Sequence, residues 1–134
     1  VTEIESIGDS CYNLARTINR KRSGGNDFTE KQYEHIHQMM QLTDDALAQM
    51  IAIVEDDYHV VDVNKTFNLE NEINNYRAQL KNQNVVDVNN KEYDYQMGVH
   101  YMDIIGECEK LGDYVVNVVE ARTNVKEKKT GDNR

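Results

Sequence analysis

Apolar residues in this chain recur at alternating spacings of three and four, in four separate stretches. Ile4, Ile7, Cys11, Leu14 and Ile18 form the first, and Tyr33, Ile36, Met40, Thr43, Leu47, Met50 and Val54 the second. Thr66, Leu69, Ile73, Tyr76 and Leu80 form the third, and Met97, Tyr101, Ile104, Cys108, Leu111, Val115 and Val118 the fourth. Such spacing puts every member of a set on one stripe of a helix, whereas a half-buried strand needs alternation at two. The 134 residues include no proline and only 7 glycines, so tight hairpin turns are poorly supported. Four amphipathic helices with short connections bury their stripes most simply as an all-α, antiparallel up-down four-helix bundle.

Local signals mark the boundaries. The first helix runs to about Arg22, where Ser23-Gly24-Gly25-Asn26-Asp27 stops it, and Arg16, Arg20, Lys21 and Arg22 suit the negative end of its dipole. Thr29 and Gln32 make a capping box for the second, with Phe28 placed to staple onto Tyr33. That helix should reach about Asp56, before a bend at Asp57-Tyr58-His59. The segment Asn82 to Asn90, with its asparagines and Val-Val-Asp-Val run, reads as a connection, and the fourth helix should begin near Lys91. Residues 1–122 then make one helical domain, and 123–134 a disordered tail with too little apolar content to order itself.

Charge narrows the function classes. With 24 acidic against 15 basic side chains and a formal charge of -9, the chain is ill-suited to a nucleic-acid backbone and better suited to cations. Cys11 and Cys108 fall on apolar stripes, where cysteine behaves as a small hydrophobe, which fits a reduced, cytoplasmic setting. No apolar run approaches the roughly 18 residues of a membrane span, and no signal peptide is evident. The chain starts at Val1, already close to the first periodic stretch, and reads as a fragment of a longer protein.

One pattern occurs twice. Glu3-Ile4-Glu5-Ser6-Ile7-Gly8-Asp9 leads to Asn13-Leu14-Ala15, and Glu107-Cys108-Glu109-Lys110-Leu111-Gly112-Asp113 leads to Asn117-Val118-Val119. Glu5 with Asp9, and Glu109 with Asp113, stack on one helical flank, a like-charge arrangement that costs roughly 0.2 to 0.5 kcal/mol per pair in an isolated helix. A cation would offset that repulsion. Carboxylates are hard ligands suited to magnesium, calcium, manganese and ferric iron, and they also contribute to zinc sites. Gly8 and Gly112 each cost about 1 kcal/mol in a helix interior, which suggests a close approach to the backbone there. The competing reading is a pair of solvated acidic flanks with a glycine at a helix crossing. The candidate ligands are Glu5, Asp9, Glu109 and Asp113, with Glu3, Glu107 and Glu70 as a second tier.

These two copies resemble the signature of the PhoU family, whose helices carry E(D)-x-x-x-D within a pattern close to E-R-I-(G/A)-D-x-x-x-N-I-A. Glu5-Ser6-Ile7-Gly8-Asp9 and Asn13-Leu14-Ala15 match it closely, and the second copy matches less tightly at its end. Ser6 and Lys110 stand where the family usually has arginine. The order of helices is similar to the family from the last helix of one three-helix repeat through the next. The resemblance implies an all-helical cytoplasmic regulator of phosphate uptake, not an enzyme, with iron or zinc at the motif acids. It further implies the cytoplasmic tail of a sodium/phosphate cotransporter, whose partner is the membrane portion of the same protein. A standalone PhoU-type regulator and a metal-free structural homodimerisation bundle remain as alternatives.

Two other constellations are weaker. Glu34 and His37 make one E-x-x-H, which di-iron bundles use twice, and His35 with His37 point to different helix faces. Both histidines read as a surface pair. Glu70 and Glu72 precede Ile73 in a stretch resembling the acidic segment of the family's middle helix, and otherwise read as solvated.

Overall fold

The computed structural model describes residues 3–23, 27–55 and 63–123, with the side chains of 3, 4 and 20–23 outside that description. Four helices make up its regular structure: α1 (Glu3–Ser23), α2 (Glu30–Glu55), α3 (Val63–Asn89) and α4 (Tyr95–Thr123). The all-α bundle expected from periodicity is therefore found. Thr123, expected as the first residue of the tail, is instead the buried last residue of α4. The stop at Gly24-Gly25-Asn26, the bend at Asp57-Tyr58-His59, the rest of the expected tail, and the side chains of Ile4, Arg20, Lys21 and Arg22 lie outside the described residues.

Helix α4 is the hub. It packs against α1, α2 and α3, and α2 also packs on α3, while among the described residues no close backbone approach links α1 to α2 or α3. Its burial shows why: neighbouring pairs such as Ile104 and Ile105, Leu111 and Gly112, and Val115 and Val116 are all inside, so α4 buries two stripes rather than one. Gly98 faces Asn84 and Val88 while Gly112 faces Ile73 and Glu70, so α3 and α4 run antiparallel. Tyr101 near the start of α4 meets Phe28 and His35 at the start of α2, so α2 and α4 run parallel. The end of α1 shares a cavity with Asp27 and Ile36, which sets α1 antiparallel to α2 and to α4. Met39, Ala46 and Ile53 of α2, Ile73 of α3, and Ile105, Cys108, Val115 and Val119 of α4 are fully enclosed. Each large member contributes on the order of 2 kcal/mol by leaving water.

The start of α2 forms as its residues dictate. Thr29 N–H donates to Gln32 Oε1 at 2.9 Å, and Gln32 N–H returns to Thr29 Oγ1 at 3.1 Å. Phe28 and Tyr33 meet edge to face at 5.5 Å, completing the staple.

The phase of the core stripe differs from expectation on two helices. On α2 the buried set is Gln32, Ile36, Met39, Thr43, Ala46, Met50 and Ile53, so Met40 and Val54 are exposed. Both sets keep the three-four spacing, because apolar residues occupy neighbouring positions all along this helix, and contact with α3 and α4 selects the stripe. On α1, Ile7, Ser10 and Leu14 are buried while Cys11 is exposed, because α1 turns its face to α4 alone.

Asn82 to Asn90 is not a connection. All but Asn90 belong to α3, which ends in a Schellman motif: Glu92 N–H donates to the Asp87 carbonyl at 2.9 Å and Lys91 N–H to that of Val88 at 3.0 Å. Lys91 takes the left-handed φ of 60° that glycine usually supplies at this position. Asp94 then caps α4 by accepting from Met97 N–H at 2.8 Å, so that helix starts at Tyr95 rather than near Lys91.

Candidate functional site

The antiparallel pairing of α1 with α4 brings the first half of α1 beside the second half of α4, and those halves carry the two motif copies. Cys11 and Leu14 line one groove with Cys108 and Leu111, and Asn13 lines another with Glu107 and Glu109. The two segments therefore lie side by side.

Their acids do not all meet. Glu5, Asp9 and Asp113 are exposed, and the side chain of Glu3 lies outside the described residues. Glu109 is half-buried and turns toward α3, where its Oε1 sits 3.3 Å from Arg77 Nε. Glu107 pairs along its own helix with Lys110 at 3.6 Å. Glu70, expected to be solvated if not a ligand, is 3 % exposed on α3 and accepts a hydrogen bond from Asn74 Nδ2 at 2.7 Å. Among the described residues no group of three or more His, Cys, Asp or Glu side chains is placed to hold a metal ion.

The two motif glycines differ. A Cβ on Gly112 would come to 3.3 Å from Ile73 Cδ1 and 3.9 Å from Glu70 Cγ, so the bare backbone admits α3 and places Glu70 beneath the second motif. A Cβ on Gly8 would meet nothing within 4 Å, so the close approach expected there is not found among the described residues.

Two grooves flank α1. Toward α2 lies an apolar one of about 430 Å³, floored by Thr43, Cys108 and Leu111 and walled by Leu14, Ile18 and Leu47. Burial pushes the Cys108 thiol up to about 11, which makes it inert as a nucleophile at neutral pH. Toward α3 lies a polar groove of about 480 Å³, where Arg16, Arg77 and Lys110 face Asp103, Glu107 and Glu109. Basic and acidic side chains thus alternate on the flank of the second motif.

A further polar cluster at the opposite end of α4 escaped the sequence reading. His35 is half-buried rather than a surface residue: its Nδ1 and the Tyr101 hydroxyl share a hydrogen bond of 2.9 Å, and its ring meets that of Tyr76 edge to face. Burial, with Lys31 nearby, lowers the His35 pKa, so the ring is neutral at pH 7. Burial also raises the pKa values of Tyr76, Tyr93 and Tyr101. The only available signal was His35 lying one position before the α2 core residue Ile36. His37 is exposed, on a different face as expected.

Comparison with protein families finds a match to the PhoU domain over residues 36–121. That span is nearly two thirds of the 134-residue chain. The chain belongs to the PhoU domain family. PhoU domains are helical bundles with a regulatory rather than enzymatic role, tied in general to phosphate uptake. The matched span holds α4 up to residue 121 with the second motif copy, and Glu70 on α3, but not the first copy on α1. Comparison with the curated proteins and with the solved structures finds no match. No described helix is long and apolar enough to cross a membrane.

Proposed function

We propose that this PhoU domain is the cytoplasmic regulatory part of a sodium-dependent phosphate transporter and modulates phosphate uptake through the acidic flanks of α1 and α4. The observation that carries the reading is the adjacency of the two motif copies, one of them inside the residues matched by the PhoU family. Attachment to a transporter rests on the resemblance of those motifs to PhoU-like tails of sodium/phosphate cotransporters.

Metal is the proposed input, at Glu5, Asp9, Glu109 and Asp113, with Glu3, Glu107 and Glu70 secondary. The donors are of the right chemistry for iron, zinc, manganese or magnesium. They do not close a ligand set made of protein alone, since no three converge among the described residues. The proposed arrangement is two separate pairs, Glu5 with Asp9 and Glu109 with Asp113, each completed by water or phosphate oxygens. To regulate anything, such a pair must bind differently in two states of the domain or of its partner.

The test is phosphate uptake by cells carrying the full-length protein, with Asp9→Asn and Asp113→Asn variants, alongside metal analysis of the purified domain. The reading expects deregulated uptake in the variants and metal lost from the double variant. Unchanged uptake would sink the role of the acidic flanks. A full-length sequence without hydrophobic spans would point instead to a standalone regulator, and a metal-free dimer to a structural bundle.

A further inference from the structure

A polar cavity of about 230 Å³ lies at the junction of α2, α3 and α4, far along α4 from the motif acids. Its walls include Gln32, His35, Asn84, Asp87, Glu92 and Tyr93.

Gln32 is its most informative wall. The side chain is 2 % exposed. Because Oε1 accepts from the Thr29 N–H in the capping box, the amide cannot be flipped without setting donor against donor. Its Nε2 is thereby the free end. It lies near enough to Tyr93 to favour the ionised form of that hydroxyl, yet makes no hydrogen bond of proper geometry to any described residue. Buried donors in folded proteins find an acceptor, and Gln32 Nε2 is placed to offer its hydrogen to one inside this cavity.

The remaining walls limit what that acceptor belongs to. The Tyr93 hydroxyl donates its proton to Asn84 Oδ1 at 2.6 Å, and Nδ1 of His35 shares its hydrogen bond with Tyr101. Asp87 accepts from Gln83 Nε2 through Oδ1 at 2.9 Å and keeps acceptor capacity to spare. Against the carboxylates of Asp87 and Glu92 the lining sets a single ammonium, that of Lys31, so a lone anion such as phosphate would meet net negative charge. The fitting ligand carries an acceptor at one end and a cationic donor at the other.

We infer that this cavity binds a small zwitterionic amine, of the free amino-acid class, with its carboxylate on Gln32 Nε2 and Lys31 and its ammonium on Asp87 and Glu92. This is a site separate from the acidic flanks of α1 and α4.

The experiment is calorimetric titration of the 134-residue chain at pH 7 with the panel of free amino acids, and with methylammonium, acetate and inorganic phosphate as separate probes. At least one amino acid should bind saturably, and the single-ended probes should bind far more weakly. Asp87→Asn keeps an acceptor for Gln83 and should weaken that binding by about tenfold, the worth of one charge-assisted hydrogen bond. Gln32→Glu keeps the capping oxygen and removes the donor, and should weaken it at least as much. No saturable binding, tighter binding of phosphate, affinity retained in Asp87→Asn, or a cavity holding only ordered water in a crystal structure would each overturn the proposal.

Discussion

Gly112 and Ile73 meet so closely that a methyl group on the glycine would lie 3.3 Å from Cδ1 of the isoleucine, itself fully buried. Gly8, its counterpart in the first motif copy, faces open space. Replacing a helical glycine by alanine gains up to about 1 kcal/mol of propensity. For Gly8→Ala that gain is unopposed, and the urea unfolding midpoint should rise. For Gly112→Ala, overpacking against an enclosed side chain costs about 1 to 3 kcal/mol, and the midpoint should fall or stay level. Equal gains in both variants would contradict the α3–α4 contact described above.

The two cysteines should separate cleanly. Cys11 is exposed and Cys108 has no exposed surface. A thiol reagent should label one cysteine quickly in the native protein and the second only on unfolding. Burial raises the Cys108 pKa from 9.0 to about 11, so the native state favours the neutral thiol. That contribution is whole below pH 9 and is lost as pH climbs toward 11, by on the order of 2 kcal/mol when complete. The alkaline fall in unfolding free energy should be shallower in Cys108→Ala, whatever its stability at pH 7.

Parts of this architecture were legible because the relevant physics is local. Phe28, Thr29, Gln32 and Tyr33 fall within six consecutive residues, and a capping box needs nothing from the rest of the chain. The choice between Met39 and Met40 needs the neighbouring helices, since both fit a three-four stripe and only packing decides which one is enclosed. Residues 82–89 look like a connection because asparagine and valine are indifferent helix formers. Packing of Asn84 and Val88 against Gly98 holds them helical, and an unusual left-handed Lys91 ends the helix where no glycine advertises it. For the candidate site, the repeat singles out the acids but says nothing of their neighbours. Arg77 beside Glu109, and the burial of Glu70 under Gly112, depend on α3 crossing α4, which no spacing within a single helix encodes.

His35 should make the fold acid-sensitive. Its pKa lies below 6.5 in the folded chain, through burial and then Lys31, with Glu34 and Asp87 opposing. The unfolded chain therefore takes up the proton first. Stability should hold above pH 6.5 and decline as pH falls through the lowered folded value. Carboxylates also titrate in that range, so the informative quantity is the difference between wild type and His35→Gln in urea unfolding at pH 7 and pH 5.5. The wild type should lose more than the variant, and identical losses would show that the His35–Tyr101 contact does not govern the response.

Arg77 is paired with one of the candidate ligands, Glu109. Its Nε lies 3.3 Å from Glu109 Oε1 on side chains about one third exposed, so the pair contributes less than about 1 kcal/mol to stability. Arg77→Ala should barely move the unfolding midpoint, yet it removes a positive charge from the flank that carries Glu109 and Asp113. If that flank takes up cations, a titration with manganese or zinc should show tighter binding in Arg77→Ala than in the wild type, and Glu109→Gln should abolish the gain. If Arg77→Ala instead leaves affinity unchanged while Asp9→Asn lowers it, binding belongs to the first motif copy alone. The unopposed Gly8 helix face would then be the functional one, and the second copy, pinned to α3 through Gly112 and Arg77, would serve the packing of the bundle.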